Sequence, residues 1–189
     1  MEPPGTHLAI DIAVRDARED ELDRLSRLLA EVYGEFQPHF PSDLWQSYLS
    51  EIVDVRSRLG GSELIVADVA GRVVGTVGFY PEAWRSELER WPVGWASIRT
   101  LAVLAEERGR GVGEALVREC LRRGRERRAA AVGLHTNPLM AAANRLYERL
   151  GFRRAPEFDV EIGEMFTGRK LPPGTSMQAH AFRLDLKED

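Results

Sequence analysis

Apolar and polar positions change period several times along the chain, and each change marks an element. From Leu8 to Val14 the apolar residues Leu8, Ile10, Ile12 and Val14 alternate with others, the period of a half-buried strand. Leu22, Leu25, Leu28, Leu29 and Val32 recur at three- and four-residue steps. That spacing predicts an amphipathic helix capped by Asp16 or Asp20 and weakening at Gly34. Pro38 to Pro41 form a break. Ser42 then caps a second helix with Leu44, Trp45, Tyr48, Leu49 and Ile52 on one side, ended by Gly60-Gly61. Leu64 to Val69 and Val73 to Tyr80 read as paired strands around Ala70-Gly71-Arg72.

Pro81 to Gly94, holding Trp84 and Trp91, interrupts the pattern for longer than a simple turn. A central strand (Trp95 to Val103) follows, then a helix to about Arg127, a short strand (Ala131 to His135) and a helix (Pro138 to Leu150). Phe152 starts another strand, Pro156 to Met177 is turn-rich, and Ala179 to Leu186 alternates again as a closing strand. The sum is strand, two helices, three strands, helix, strand, helix, two strands: an α/β (α+β) layout read as one domain over residues 1–189.

At 189 residues and a formal net charge of −4, the chain fits one domain with a sizeable core and carries no overall basic footprint. The lone Cys120 excludes an internal disulfide and lies on the apolar side of a helix, as a small buried hydrophobe does. No segment approaches the ~20 apolar residues of a membrane helix, and Met1-Glu2-Pro3-Pro4 does not begin a signal peptide. A cytoplasmic protein is expected, with no nucleic-acid or membrane partner and no metal.

Between the central strand and its helix lies Arg108-Gly109-Arg110-Gly111-Val112-Gly113. A glycine-rich turn opening a helix leaves backbone N–H groups without helical partners, and the positive end of the helix dipole adds to them. Together they make a site for phosphate oxygens. Glycines let the backbone close on such a ligand, and Arg108 and Arg110 add positive charge. No Lys-Ser or Lys-Thr follows, and the spacing is not Gly-x-Gly-x-x-Gly, so neither the P-loop nor the dinucleotide fingerprint fits.

Arg-x-x-Gly-x-Gly preceded by Leu101-Ala102-Val103 resembles the acyl-CoA pyrophosphate loop of the GNAT family of N-acetyltransferases. A second block, Asn144-Arg145-Leu146-Tyr147-Glu148-Arg149-Leu150-Gly151-Phe152, resembles that family's closing helix, where a Leu-Tyr pair precedes Gly-Phe. The likeness is firm from about Leu64 to Phe152. It implies the GNAT fold: a mixed, mostly antiparallel sheet, splayed between its fourth and fifth strands and flanked by about four helices. It further implies acetyl-CoA as cosubstrate, its pantetheine arm bonded to backbone near Leu101, Ala102 and Val103. Arg108, Gly109, Arg110, Gly111, Val112 and Gly113 would hold the pyrophosphate, and Asn144 would face the pantetheine arm. The implied activity is transfer of an acetyl group to the primary amine of a small molecule, by direct attack in a ternary complex.

Such chemistry needs a positioned thioester, donors for the developing oxyanion, and proton transfer. A backbone N–H of Leu101 or Val103 would serve the oxyanion. Tyr147, a phenol with pKa ~10, stays protonated at neutral pH and would stabilise or protonate the departing thiolate. Asn137 reads as a helix cap. Related sequences often carry a Glu on the fourth strand, whereas Trp95-Ala96-Ser97-Ile98-Arg99 has no carboxylate. Glu35, His39, His135 or a water relay are left as proton acceptors.

Tyr33, Phe36, Phe40, Trp45, Trp84 and Trp91 surround the segments that form the acceptor pocket in this fold, with Trp84 and Trp91 as candidates to line or cover it. Glu82, Glu87 and Glu89 would attract a cationic amine. The basic run Arg122, Arg123, Arg125, Arg127 and Arg128 reads as a solvated helix end. Two other readings stay open: a non-catalytic acyl-CoA-binding module of the same fold, and an acetyltransferase for protein N-termini or lysines. Residues 156–177 and the closing strand are the elements available for a homodimer.

Overall fold

Alternation and helical spacing produce the elements in the expected order. The structure, a computed structural model, describes residues 11–85, 90–163 and 178–186. Leu8 to Ile10 of the expected first strand, Glu87 and Glu89, and residues 164–177 lie outside them.

Strand β1 (Ala13–Asp16) pairs antiparallel with β2 (Glu63–Val69), β2 with β3 (Arg72–Tyr80), and β3 with β4 (Trp95–Val103). β4 runs parallel to β5 (Ala131–Thr136). Two very short strands, β6 (Arg153–Arg154) and β7 (Val160–Glu161), lie antiparallel to β8 (Gln178–Asp185), which also pairs antiparallel with β5. The order across the sheet is β1-β2-β3-β4-β5-β8-β6. Four helices that lie wholly within the described residues accompany it: α1 (Leu22–Gly34), α2 (Ser42–Val53), α3 (Val112–Glu126) and α4 (Ala141–Arg149).

The apolar stripe of α1 is buried as its spacing requires, from Leu22 through Tyr33, and joins the core built on β2 to β5. Each such leucine contributes about 1.5–3 kcal/mol on burial. The start of α1 differs from expectation. A short 3-10 turn (Glu19–Glu21) precedes it, and the Arg18 N–H donates to the Glu21 carboxylate at 2.8 Å. Asp16 is drawn away by Arg123 at 2.6 Å, and Asp20 by Arg18 at 3.7 Å.

The expected solvated helix end is also revised. Arg123 is buried, its guanidinium held by Asp16, Glu63 and Glu119 at 2.6–2.9 Å, and Arg127 pairs with Glu63 as well. These pairs tie α3 to the β1–β2 end of the sheet. α4 begins three residues later than its pattern suggested. Asn137 is therefore not the cap it was expected to be: its side chain accepts the Leu139 N–H at 2.9 Å in the turn before the helix, while Met140 takes the N-cap position with no side-chain hydrogen bond.

Two irregularities in β4 shape the site. Against β3, Thr76 faces Ala102 while Gly78 faces Arg99, so two steps on β3 are matched by three on β4. The extra residue is a β-bulge at Thr100, whose φ of 53° lies in the left-handed region. Against β5, pairing runs from Trp95↔Ala131 to Ile98↔Leu134 and then stops, although β4 continues to Val103. The sheet therefore opens between its fourth and fifth strands, as the family resemblance implied.

Trp91, expected to line or cover the acceptor pocket, is instead part of a core. Trp91 is 4% exposed, stacked on Trp95 (centroids 5.7 Å apart) and packed with Phe158, Ala131 and Ala181 in a second small core. Trp84 is 39% exposed, with Arg85 over its ring.

Candidate active site

The glycine loop builds one half of the site. Gly109 and Gly111 take φ of 75° and 89°, conformations that disfavour a side chain, and Gly111 stands immediately before α3. The Ala115 N–H reaches back to the Gly111 carbonyl at 2.9 Å as the first helical bond. The N–H groups of Val112, Gly113 and Glu114 thus precede the ladder and have no helical acceptor. A Cβ on Gly113 would sit 3.3 Å from Leu146 Cδ2 and 3.7 Å from Val103 Cγ2, filling the gap between β4 and α4. These features fit an anionic ligand with a long narrow arm.

A cleft of about 690 Å³ opens there. Of the residues singled out from sequence, Leu101, Val103, Arg108, Gly109, Gly111, Val112 and Gly113 all line it. Ala102 points the other way and is 1% exposed, as strand alternation requires. Arg110 turns aside to the buried carboxylate of Glu107 at 2.6 Å, which also holds Arg72 at 2.5 Å. Arg108 lines the cleft but is bonded to both oxygens of Glu35, at 2.8 and 2.9 Å, and to the Val103 carbonyl at 3.1 Å. Arg145 and Arg149 supply further positive charge on the α4 side.

Asn144 is half-buried and bonded inward: its amide oxygen accepts from Thr136 at 2.7 Å, and its amide nitrogen donates to the Asn137 carbonyl at 3.2 Å. It ties α4 to the end of β5. Tyr147 is 5% exposed, its ring edge-on to Phe152 at 5.7 Å. Burial raises its phenol well above the usual range, with Tyr33 and Cys120 adding to the shift, so the group stays protonated. Cys120 is itself buried, and its thiol is raised for the same reason.

Where β4 and β5 part, a second and smaller cavity of about 90 Å³ lies between α2 and the two strands. Tyr33 and Met140 belong to the walls of both spaces, so the cleft and the cavity adjoin there, close to where β4 and β5 part. Tyr33, Tyr48, Glu51, Arg99, Thr100 and His135 give the smaller one its polar character. Burial pushes the Tyr33 phenol up to about 12, and that of Tyr48 rises in the same way. Tyr33 touches Phe36 and Tyr48, and Tyr48 stacks on Phe40 at 5.0 Å and approaches Trp45 at 6.0 Å. These aromatics of α1, α2 and their connection therefore back the cavity.

The proton-acceptor candidates separate. Glu35 stands at the phosphate end, paired with Arg108. His39 is exposed on a 3-10 turn. His135 reaches the cavity, but its Nε2 bonds the Phe158 carbonyl at 2.8 Å and its ring lies on Trp91. Glu51 was not anticipated. Among the described residues it is the one carboxylate on the cavity wall. Its Oε1 accepts from Arg99 at 2.8 Å, while Oε2 is buried without a hydrogen bond, 4.0 Å from Arg58. Glu51 follows Tyr48 by three residues on α2, which was the only hint the sequence held.

A family model described as the acetyltransferase (GNAT) family matches residues 22–152. N-acetyltransferase 8 of Rattus norvegicus is 32% identical over 123 residues, 64% of this chain and 49% of that protein. The chain thus spans about half the length of this curated relative. Among solved structures, the PaiA N-acetyltransferase of Thermoplasma acidophilum in complex with coenzyme A superposes with a TM-score of 0.66 at 12% identity, covering 94% of this chain and 100% of that one. A GNAT family acetyltransferase of Elizabethkingia anophelis with acetyl-CoA bound gives 0.64 at 15% identity, covering 93% and 98%.

Proposed function

The chain belongs to the acetyltransferase (GNAT) family, and from that premise we propose that it moves the acetyl group of acetyl-CoA to the primary amine of a small molecule, with both substrates bound together. The adjacency of the cleft and the smaller cavity at Tyr33 and Met140 carries this reading. One space suits a long phosphorylated donor, the other a compact head group, and they lie side by side where the sheet separates. The coenzyme A and acetyl-CoA complexes of the two solved relatives support the choice of donor.

Acetyl-CoA supplies an activated acetyl thioester. The α3 N–H groups and the positive end of its dipole hold the pyrophosphate, with Arg108 beside them. Leu101 and Val103 present backbone to the pantetheine arm, and an N–H there faces the thioester oxygen. Tyr147 is assigned to the leaving thiolate from its place in the Leu-Tyr pair of α4, and burial keeps its phenol protonated. Asn144 contributes by fixing α4, which carries Tyr147, against β5.

An amine of pKa ~10.4 is charged at neutral pH, and about 4–5 kcal/mol separates it from the nucleophilic form. Glu51 takes that proton, directly or through water. The surrounding aromatic rings favour an acceptor with an apolar body.

Calorimetric titration of acetyl-CoA into the wild type and a Gly111→Trp variant tests the donor site, and thiol release with an amine panel tests transfer. Saturable binding lost in the variant, with amine-dependent thiol release, is expected. Tight binding with no release for any amine would reduce the protein to an acyl-CoA-binding module.

A further inference from the structure

We propose that Arg58 is a positioning residue for acetyl transfer: it clamps the left-handed Thr100 bulge of β4 and so holds open the seam in which the thioester and the amine meet. The inference rests on the transferase reading above, and it begins from a conformation the sequence disfavours. Threonine is branched at Cβ, and such residues rarely adopt positive φ. Thr100 nevertheless sits at φ 53°, 9% exposed, inside a strand. Strained backbone of this kind persists only where its surroundings determine it.

One side chain stands out among those surroundings. Arg58 is 7% exposed, and its Nη1 donates to Thr100 Oγ1 at 3.1 Å. Its Nη2 donates to the carbonyls of Glu51 and Ile52, the latter at 2.5 Å, in the last turn of α2. Carbonyls there have no helical donors, so the guanidinium both caps α2 and ties it to the bulge. On the preceding residue of β4, Arg99 reaches the Glu51 carboxylate at 2.8 Å, a second tie between the same two elements. The arrangement is not the one stability alone would choose, since Arg58 Nε is buried with no hydrogen-bond partner.

The bulge lies where it matters. β4 leaves β5 after Ile98↔Leu134, and Thr100 is two residues further on, in the wall of the small cavity. The extra residue rotates the backbone that follows, which is Leu101 to Val103 along the cleft. Without the clamp the strand can relax toward regular pairing, turning the Leu101 N–H away from the thioester oxygen. The pyrophosphate loop, fixed by its own glycines and by α3, is left as it was.

Arg58→Met keeps the bulk and removes the fork. Expected is an acetyl-CoA Kd raised by no more than about tenfold, because the pyrophosphate loop is untouched while pantetheine contacts weaken, and a kcat lower by about a hundredfold, the cost of a small misplacement of reacting groups. Adding Thr100→Gly to Arg58→Met should restore much of the loss, because glycine accepts the left-handed conformation without a clamp. Amide hydrogen exchange at Thr100 and Leu101 gives a readout free of activity: faster in Arg58→Met, slowed again in the double variant. A double variant no better than Arg58→Met, or cofactor binding lost in step with turnover, overturns the proposal. Should Arg58→Met fail to fold, Arg58→Lys serves in its place, keeping the charge without the planar fork. If wild type binds acetyl-CoA and acetylates no amine, the transferase reading falls, and the exchange data alone decide whether the clamp exists.

Discussion

The guanidinium of Arg108 donates two hydrogen bonds, at 2.9 and 2.8 Å, to the two carboxylate oxygens of Glu35 across the mouth of the larger cleft. A carboxylate is thereby placed beside the N-terminus of α3, where phosphate is expected, and it holds the arginine best suited to greet that phosphate. Both side chains are about two-fifths exposed, so the pair itself is worth at most about 1 kcal/mol. Glu35→Gln should therefore tighten acetyl-CoA binding by no more than about fivefold. Titration at low and high salt checks this; weaker binding in the variant would mean that Glu35 orients Arg108 instead of competing for it.

Tyr147→Phe removes one oxygen from a buried ring whose packing on Phe152 is otherwise kept. Acetyl-CoA affinity should be nearly unchanged while kcat falls by about a hundredfold, the scale of a lost proton donor. Steady-state kinetics across pH decide it, since equal turnover at every pH would remove the tyrosine from the reaction.

Glu51→Gln should leave cofactor binding intact and lower kcat/KM for the amine by about tenfold or more. Retention of full kcat/KM with an amine that is already neutral at the assay pH would support the proton-accepting role. An equal loss for neutral and charged amines would assign Glu51 to holding Arg99 instead.

Glu21 sets a pH limit on stability. Hydrogen bonds from Arg15, aided by the Arg18 N–H, hold its carboxyl at about 2 in the folded chain, against ~4.3 when unfolded. A depressed folded value means its contribution is full above about pH 4.3 and is lost as pH falls toward 2. Glu119, held down by Arg122 and Arg123, adds in the same direction. Urea midpoints between pH 6 and pH 2.5 should drop steeply for wild type and less for Glu21→Gln; parallel curves would contradict the assignment.

Gly133→Ala tests the second core. A Cβ there would meet three carbons of the Trp91 ring at 2.8 Å, and that ring is already packed against Trp95, His135 and Phe158. Destabilisation of about 1–3 kcal/mol is expected, read from thermal or urea unfolding.

The loop was legible in the sequence because its geometry is written in residue type: positive φ at two positions calls for glycine, and glycine stands there. The burial of α1 and the paired strands were legible for a similar reason, since each element's period fixes its inner face. The Glu35 pair was not, because its Arg108 partner comes from a distant segment brought near only by the fold, and Arg110 was not, because its neighbour Glu107 is buried by the fold and not by any local pattern. Arg58 lies past the end of α2 in a stretch without period, and Thr100 is a residue that favours regular strands, so neither announces a bulge. Trp91 misled for the opposite reason. An aromatic in an irregular segment suggested a cover, whereas an alanine- and glycine-lined face of β5 and β8 had left room for it to be core.

The stack of Trp91 on Trp95 covers the paired stretch of the β4–β5 seam: Trp95 faces Ala131 at its first pair, and the Trp91 ring extends along β5 to Gly133 and His135, toward the point where the strands part. Two indoles whose centroids are 5.7 Å apart couple electronically, and their joint signal in near-ultraviolet circular dichroism depends steeply on distance and angle. The protein thus carries a built-in optical gauge of its own seam. It needs no label, and it can report in real time whether ligands spread the strands further or find them already set.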